Sequence, residues 1–108
     1  MDNSRLIRNY GLEVDEFETS PFEALHMLHI RSCLEKIIQQ LTYEEKLKLY
    51  THDMKLIQNA KKMVERIQEI YNFSLSKEPF TEWWWHLDKV VTGEISFSVS
   101  IDVQVNAV

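Results

Sequence analysis

The sequence predicts a mainly α domain: a three-helix assembly with a long second helix, plus a C-terminal β-strand as a minor α+β element. Three observations carry this. Ser20-Pro21-Phe22-Glu23 and Thr42-Tyr43-Glu44-Glu45 are helix-start signatures, and each opens a stretch whose apolar residues step by three and four. The chain holds only 2 Gly and 2 Pro in 108 residues, so few positions can break those stretches. Residues 94–105, EISFSVSIDVQV, alternate apolar and polar without a slip, the period of a half-buried strand. The length is that of one domain over residues 1–108. Its expected parts are an N-terminal arm (1–19), a helical core (20–91) and the strand (94–106).

In chain order, residues 4–10 suit a short helix, with Ser4 as N-cap, Leu6, Ile7 and Tyr10 on one face and Gly11 as its stop. Leu12 and Val14 alternate with Glu13 and Asp15, a weak strand signal. The first long helix is expected from Ser20 to about Gln40, with Pro21 at its first position. Its core stripe is Met27, Ile30, Leu34, Ile37 and Leu41, and Leu25 and Leu28 widen that stripe, so its first half should be buried on two sides. The second helix is expected from Tyr43 to about Asn72, roughly 45 Å long. Tyr43, Leu47, Tyr50, Met54, Ile57, Val64, Ile67 and Tyr71 mark one band on it, and Leu49, Leu56, Met63 and Ile70 recur every seven residues beside that band. So wide an apolar surface exceeds what one neighbouring helix covers. A third helix is expected over 79–91, opened by Pro79 and stopped by Gly93, with Phe80, Trp83, Trp84, Leu87 and Val91 inward.

The strand needs a partner. Fully extended, residues 94–106 reach roughly 40 Å, and an uncovered apolar strand edge is an aggregation hazard. Three partners are open: the Leu12–Val14 stretch of the same chain, the same strand of a second copy, or another protein that accepts an added strand. Antiparallel self-pairing that keeps the apolar faces together puts the two-fold axis through a residue such as Val99 or Ser100.

Charge and composition exclude some classes. A formal net charge of -5 and a pI of about 5.3 disfavour general nucleic-acid binding. Lys48, Lys55, Lys62 and Arg66 line one stripe of the second helix, but neighbouring acids balance them, so the stripe reads as a solvated face for which the acidic 13–23 segment is a natural neighbour. No stretch approaches the apolar length of a membrane span. The single cysteine, Cys33, and the absence of an apolar leader point to a cytoplasmic protein.

Candidate chemical sites are few. His26, His29 and Cys33 share one flank of the first long helix, and Glu23 with His26 makes an E-x-x-H pair. Helical metal sites need a complement from facing helices; only His86, with Glu82 a turn before it, and His52 are available to supply it. Cys33 with His29 has the reach of a nucleophile–base pair but sits mid-helix without oxyanion donors. Of the consecutive Trp83, Trp84 and Trp85, the first two belong to the inner face. Trp85 points elsewhere and suits an interface anchor. No catalytic motif stands out, and neither enzymatic activity nor a cofactor is expected.

The expected role is therefore a non-enzymatic protein–protein interaction module. It is expected to form a homodimer, or to bind a protein partner by strand addition or exchange, through Ile95, Phe97, Val99, Ile101, Val103 and Val105, assisted by Leu49, Leu56 and Met63 of the long helix and by Trp85. The alternative is a helical metal- or small-ligand-binding protein using Glu23, His26, His29 and His86.

Overall fold

The computed structural model describes residues 3–16 and 20–97. They form five α-helices: α1 (Asn3–Asp15), α2 (Pro21–Lys36), α3 (Tyr43–Gln58), α4 (Ala60–Ile67) and α5 (Leu87–Thr92). Short 3-10 turns stand at Ile38–Gln40, Phe73–Leu75 and Trp83–His86. The mainly helical architecture follows the sequence reading. Among the described residues there is no strand: Glu94–Phe97 are irregular, and the rest of the expected strand lies outside them.

The first departure from expectation is α1. It does not stop at Gly11 but runs on to Asp15, so the Leu12–Val14 stretch is helical. Ile7, Tyr10, Gly11 and Val14 are buried at spacings of three and four, and that helical face outweighs a four-residue alternation. Gly11 serves contact. A Cβ there would overlap the His52 imidazole of α3, so only glycine lets α1 and α3 approach this closely. The internal strand partner that the sequence offered for residues 94–106 is thereby removed.

α2 is the central element, packed on α1, on α4 and on the tryptophan turn. Ser20 has extended backbone, and its Oγ accepts from the Glu23 N–H at 3.2 Å, with Pro21 in the first turn. Ala24, Met27, Leu28, Ile30, Arg31 and Leu34 are buried, the expected broad face. At α3 both halves of the capping box form: Thr42 Oγ1 accepts from the Glu45 N–H (3.1 Å), and Glu45 Oε1 accepts from the Thr42 N–H (2.8 Å).

The expected single long helix is two helices. At Asn59 the backbone leaves helical geometry (φ −103°, ψ 15°), and the side-chain Nδ2 donates to the Lys55 carbonyl at 3.0 Å, which the Asn59 N–H also reaches. A short amide side chain that competes for the preceding turn's carbonyl weakens the regular ladder. The break lets Leu49, Leu56, Ala60, Met63 and Ile67 all stay in the core while α4 turns to pack on α2 and α5. α4 ends at Ile67, short of Asn72.

The third helix also differs. Trp83–His86 form a 3-10 turn, α5 begins only at Leu87, and Gly93 closes it with φ 86°, as its position predicts. Phe80 and Val91, expected inside, are exposed, because residue 80 lies ahead of both the Trp83–His86 turn and α5, and α5 has too few turns to carry Val91 onto the core. The tighter turn faces Trp84 and Trp85 inward. Both indole N–H groups donate to one acceptor, Ser32 Oγ, at 2.9 and 2.8 Å. Among the described residues no helix is long and apolar enough to cross a membrane.

Candidate interaction surface

α3 carries two apolar lines that face opposite ways. Leu49 and Leu56 have no exposure, whereas Tyr43, Leu47, Tyr50 and Met54 are 77%, 50%, 46% and 52% exposed. Leu49, Leu56 and Met63 were expected at the interface. They lie in the chain's own core, so no partner can touch them in this conformation. Trp85 is corrected in the same way: it is buried, edge-on to His29 (centroids 5.0 Å apart) and tilted against Tyr71, with its N–H on Ser32. The outward line is the other one, at positions 43, 47, 50 and 54.

The end of that line opens into a groove of about 620 Å³. One wall is Tyr50, Met54, Ile57 and Gln58 of α3, the other is Trp83, and Phe97 stands at its lip. Phe97 meets Trp83 edge-on (5.5 Å, 83°), and Trp83 in turn meets Trp84 edge-on (5.6 Å, 88°). The Ile95 N–H donates to the Lys89 carbonyl at 3.1 Å, which brings the chain back from α5 toward Trp83.

The groove floor is ionic and closed upon itself. Arg31 (3% exposed) grips Asp53 (5% exposed) through two parallel bonds, Nε to Oδ1 at 2.9 Å and Nη2 to Oδ2 at 3.0 Å. Its third nitrogen, Nη1, donates to Glu35 at 3.0 Å, and the guanidinium lies 4.3 Å from the centre of the Trp84 ring. The Tyr10 hydroxyl donates to Asp53 Oδ1 at 2.5 Å. Burial, reinforced by the Asp53 charge, pushes the Tyr10 pKa well above its usual 10.0, so the hydroxyl stays a donor. Burial opposes the Arg31 charge, but Asp53, Tyr10 and Glu35 outweigh it and raise the guanidinium pKa further. Every nitrogen of the fork has its acceptor. What the groove offers an incoming group is therefore apolar wall.

Family models, curated proteins and solved structures give no match to this chain. The geometry alone must carry the functional reading.

The residues expected to bind metal do not converge. His26 is exposed on α2 with Nδ1 3.4 Å from Glu13 Oε1, and His29 meets Trp85 edge-on. His86 is buried with Nε2 2.6 Å from the Glu78 carbonyl, an acceptor, so that nitrogen carries the proton. Glu23 serves the start of α2. Among the described residues no group of three or more His, Cys, Asp or Glu is placed to hold a metal ion. Cys33 is exposed on α2, not tucked into the core as a small apolar residue. The lysine stripe is split by the break at Asn59, and Lys55 pairs with Asp15 at 3.3 Å, the acidic neighbour expected for it.

Arg31 and Asp53 were missed by sequence reasoning. A signal did exist: Asp53 falls on the inner line Leu49–Leu56, four residues from one and three from the other, and Arg31 lies beside Met27, Leu28 and Leu34. An acid in one core stripe and a base in another are each unfavourable alone and acceptable only as a pair. Of the interface residues expected near position 94 and beyond, Ile95 and Phe97 are described; Val99, Ile101, Val103 and Val105 lie outside the described residues.

Proposed function

We propose that the protein is a non-enzymatic association module that pairs with a second copy of itself through the exposed row of α3 and residues 95–105. One observation carries this reading: Tyr43, Leu47, Tyr50 and Met54 stand in solvent as a continuous row that runs into an apolar groove. Isolated apolar side chains such as Phe22 or Leu75 are ordinary on a protein surface. A contiguous row joined to a groove is the mark of a contact surface. The residues that follow Phe97 in the sequence alternate apolar and polar and would add apolar surface of the same kind. With the Leu12–Val14 stretch helical, backbone pairing between copies is the simplest use for their edge.

Light scattering on a sizing column tests this with the full chain and a version ending at Phe97, which keeps every described element. A dimeric full chain and a folded monomeric short version support the reading. A full chain that remains monomeric at high concentration overturns it. A dimer in both restricts the contact to the α3 row and removes residues 98–105 from it.

A further inference from the structure

We propose that a second groove, between α1 and α3, is a binding site for a small soluble molecule that carries a phosphate monoester. This groove has a volume of about 450 Å³ and shares no lining residue with the exposed row of α3. Arg5 and Arg8 line it from α1 and Lys48 from α3, so cations stand on both walls. The two arginines are three positions apart and share one face of α1. Among the described residues, none of these three cations has a hydrogen bond or an ion pair.

The two acids that line the groove are already engaged. Asp15 Oδ1 accepts from Lys55 Nζ at 3.3 Å, and Glu45 Oε1 accepts from the Thr42 N–H at 2.8 Å as half of the capping box. What is left unpaired is positive charge, in a chain whose formal net charge is -5. Like charges on opposite walls repel, and an anion between them turns that repulsion into attraction.

The ligand class follows from the donors. Guanidinium forks match the oxygens of a phosphate two at a time, and an ammonium adds a point charge. Three cations suit a head group with nearly two negative charges at neutral pH. Ile7, Gly11 and Leu12 give apolar wall for an organic body, and the volume is that of a small-molecule site. A polynucleotide would run on past the groove over Asp15 and Glu45, against the chain's net charge. The His52 ring lies against Gly11 and lines the same groove, with Nδ1 buried and unpartnered, so it reports on whatever enters.

The test is calorimetric titration of the full chain with glycerol 3-phosphate. Saturable binding is expected, weakened at least about ten-fold by Arg8→Gln and by Lys48→Gln and less than about two-fold by Lys61→Gln, an exposed α4 control. The His52 ring signals in NMR spectra should shift on binding. Without ligand, Arg8→Gln and Lys48→Gln should melt no lower than the parent, since each removes one of two repelling charges; with ligand, the parent's Tm should rise more than theirs. A lower Tm in both unliganded variants would mean a structural role and overturn the proposal. Absence of saturable binding, or equal weakening in Lys61→Gln, overturns it too. Tighter binding of citrate overturns the phosphate assignment, and binding only to vesicles containing phosphatidic acid overturns the soluble one.

Discussion

Leu49 and Leu56 on one side of α3, and Leu47 and Met54 on the other, are alike in chemistry and spacing, yet only the first pair is out of water. What separates them is what stands opposite. α1 packs across the inner line, and Asp53, placed between Leu49 and Leu56, is held there by Arg31 of α2 and Tyr10 of α1. The outer line faces solvent, and at Tyr50 and Met54 a groove, instead of a helix. An apolar stripe on a helix reports that burial is wanted; the neighbouring elements decide whether it happens within the chain or between chains.

The sharpest way to break this comparison is to strike the inner face at its charged member. Asp53→Ala leaves Arg31 buried without its carboxylate and should lower unfolding free energy by about 3–5 kcal/mol. The double variant Arg31→Met, Asp53→Leu should lose much less, because it removes both charges together. Urea titration of the three proteins checks this; equal losses in the single and double variants would mean that the pair does not act as a unit.

Next comes the direct contrast between the two lines, measured in the version ending at Phe97. Leu56→Ala should cost about 2–5 kcal/mol, and Met54→Ala no more than about 0.5 kcal/mol. Similar losses at both positions would erase the distinction between inner and outer face.

A smaller effect probes the seam of α1 and α3. In an ordinary helix interior Gly→Ala gains roughly 0.5–1 kcal/mol. Gly11→Ala should instead lose about 1–3 kcal/mol, since the new methyl meets the His52 ring. Replacing His52 with Ala in the same chain should return most of that loss.

The smallest effect is a pH dependence at the same contact. Burial lowers the His52 pKa below its ordinary 6.5, with Lys55 adding to the shift and Asp15 and Asp53 opposing it. The unfolded chain then binds a proton more readily than the folded one, so the fold loses stability as pH falls through about 6.5 and on toward the lower folded value. Above that window His52 contributes no pH dependence. Thermal melts between neutral and mildly acidic pH should show a shallower decline in His52→Gln than in the parent protein.

Much of the fold was legible because its signals are local. The caps at Ser20 and Thr42 and the stop at Gly93 depend on a few adjacent residues, and each holds in the structure. The features that were not legible depend on distant partners. Gly11 resembles a helix stop until His52, far along the chain, is placed beside it. The break at Asn59 costs the helix little, and its benefit, packing α4 on α2 and α5, is tertiary. The two lines on α3 could not be ordered because Asp53 makes the true inner line look like a solvent face until Arg31, 22 positions earlier, is set against it. The same blindness affected the candidate surface. The surplus of apolar side chains on the long helix was readable, but which of its two lines was the surplus was not.

The most direct test of the account is the mass in solution of the full chain carrying Leu47→Glu and Met54→Glu, measured by light scattering beside the parent protein. Both positions are exposed in the single chain, so the fold and its far-ultraviolet circular dichroism should be retained. The account predicts a dimeric parent and a folded, monomeric variant, because two added carboxylates on the row repel the facing copy and resist burial. A variant that keeps the parent's dimer mass and affinity would contradict it, and would mean that the exposed row of α3 is not where this protein makes contact.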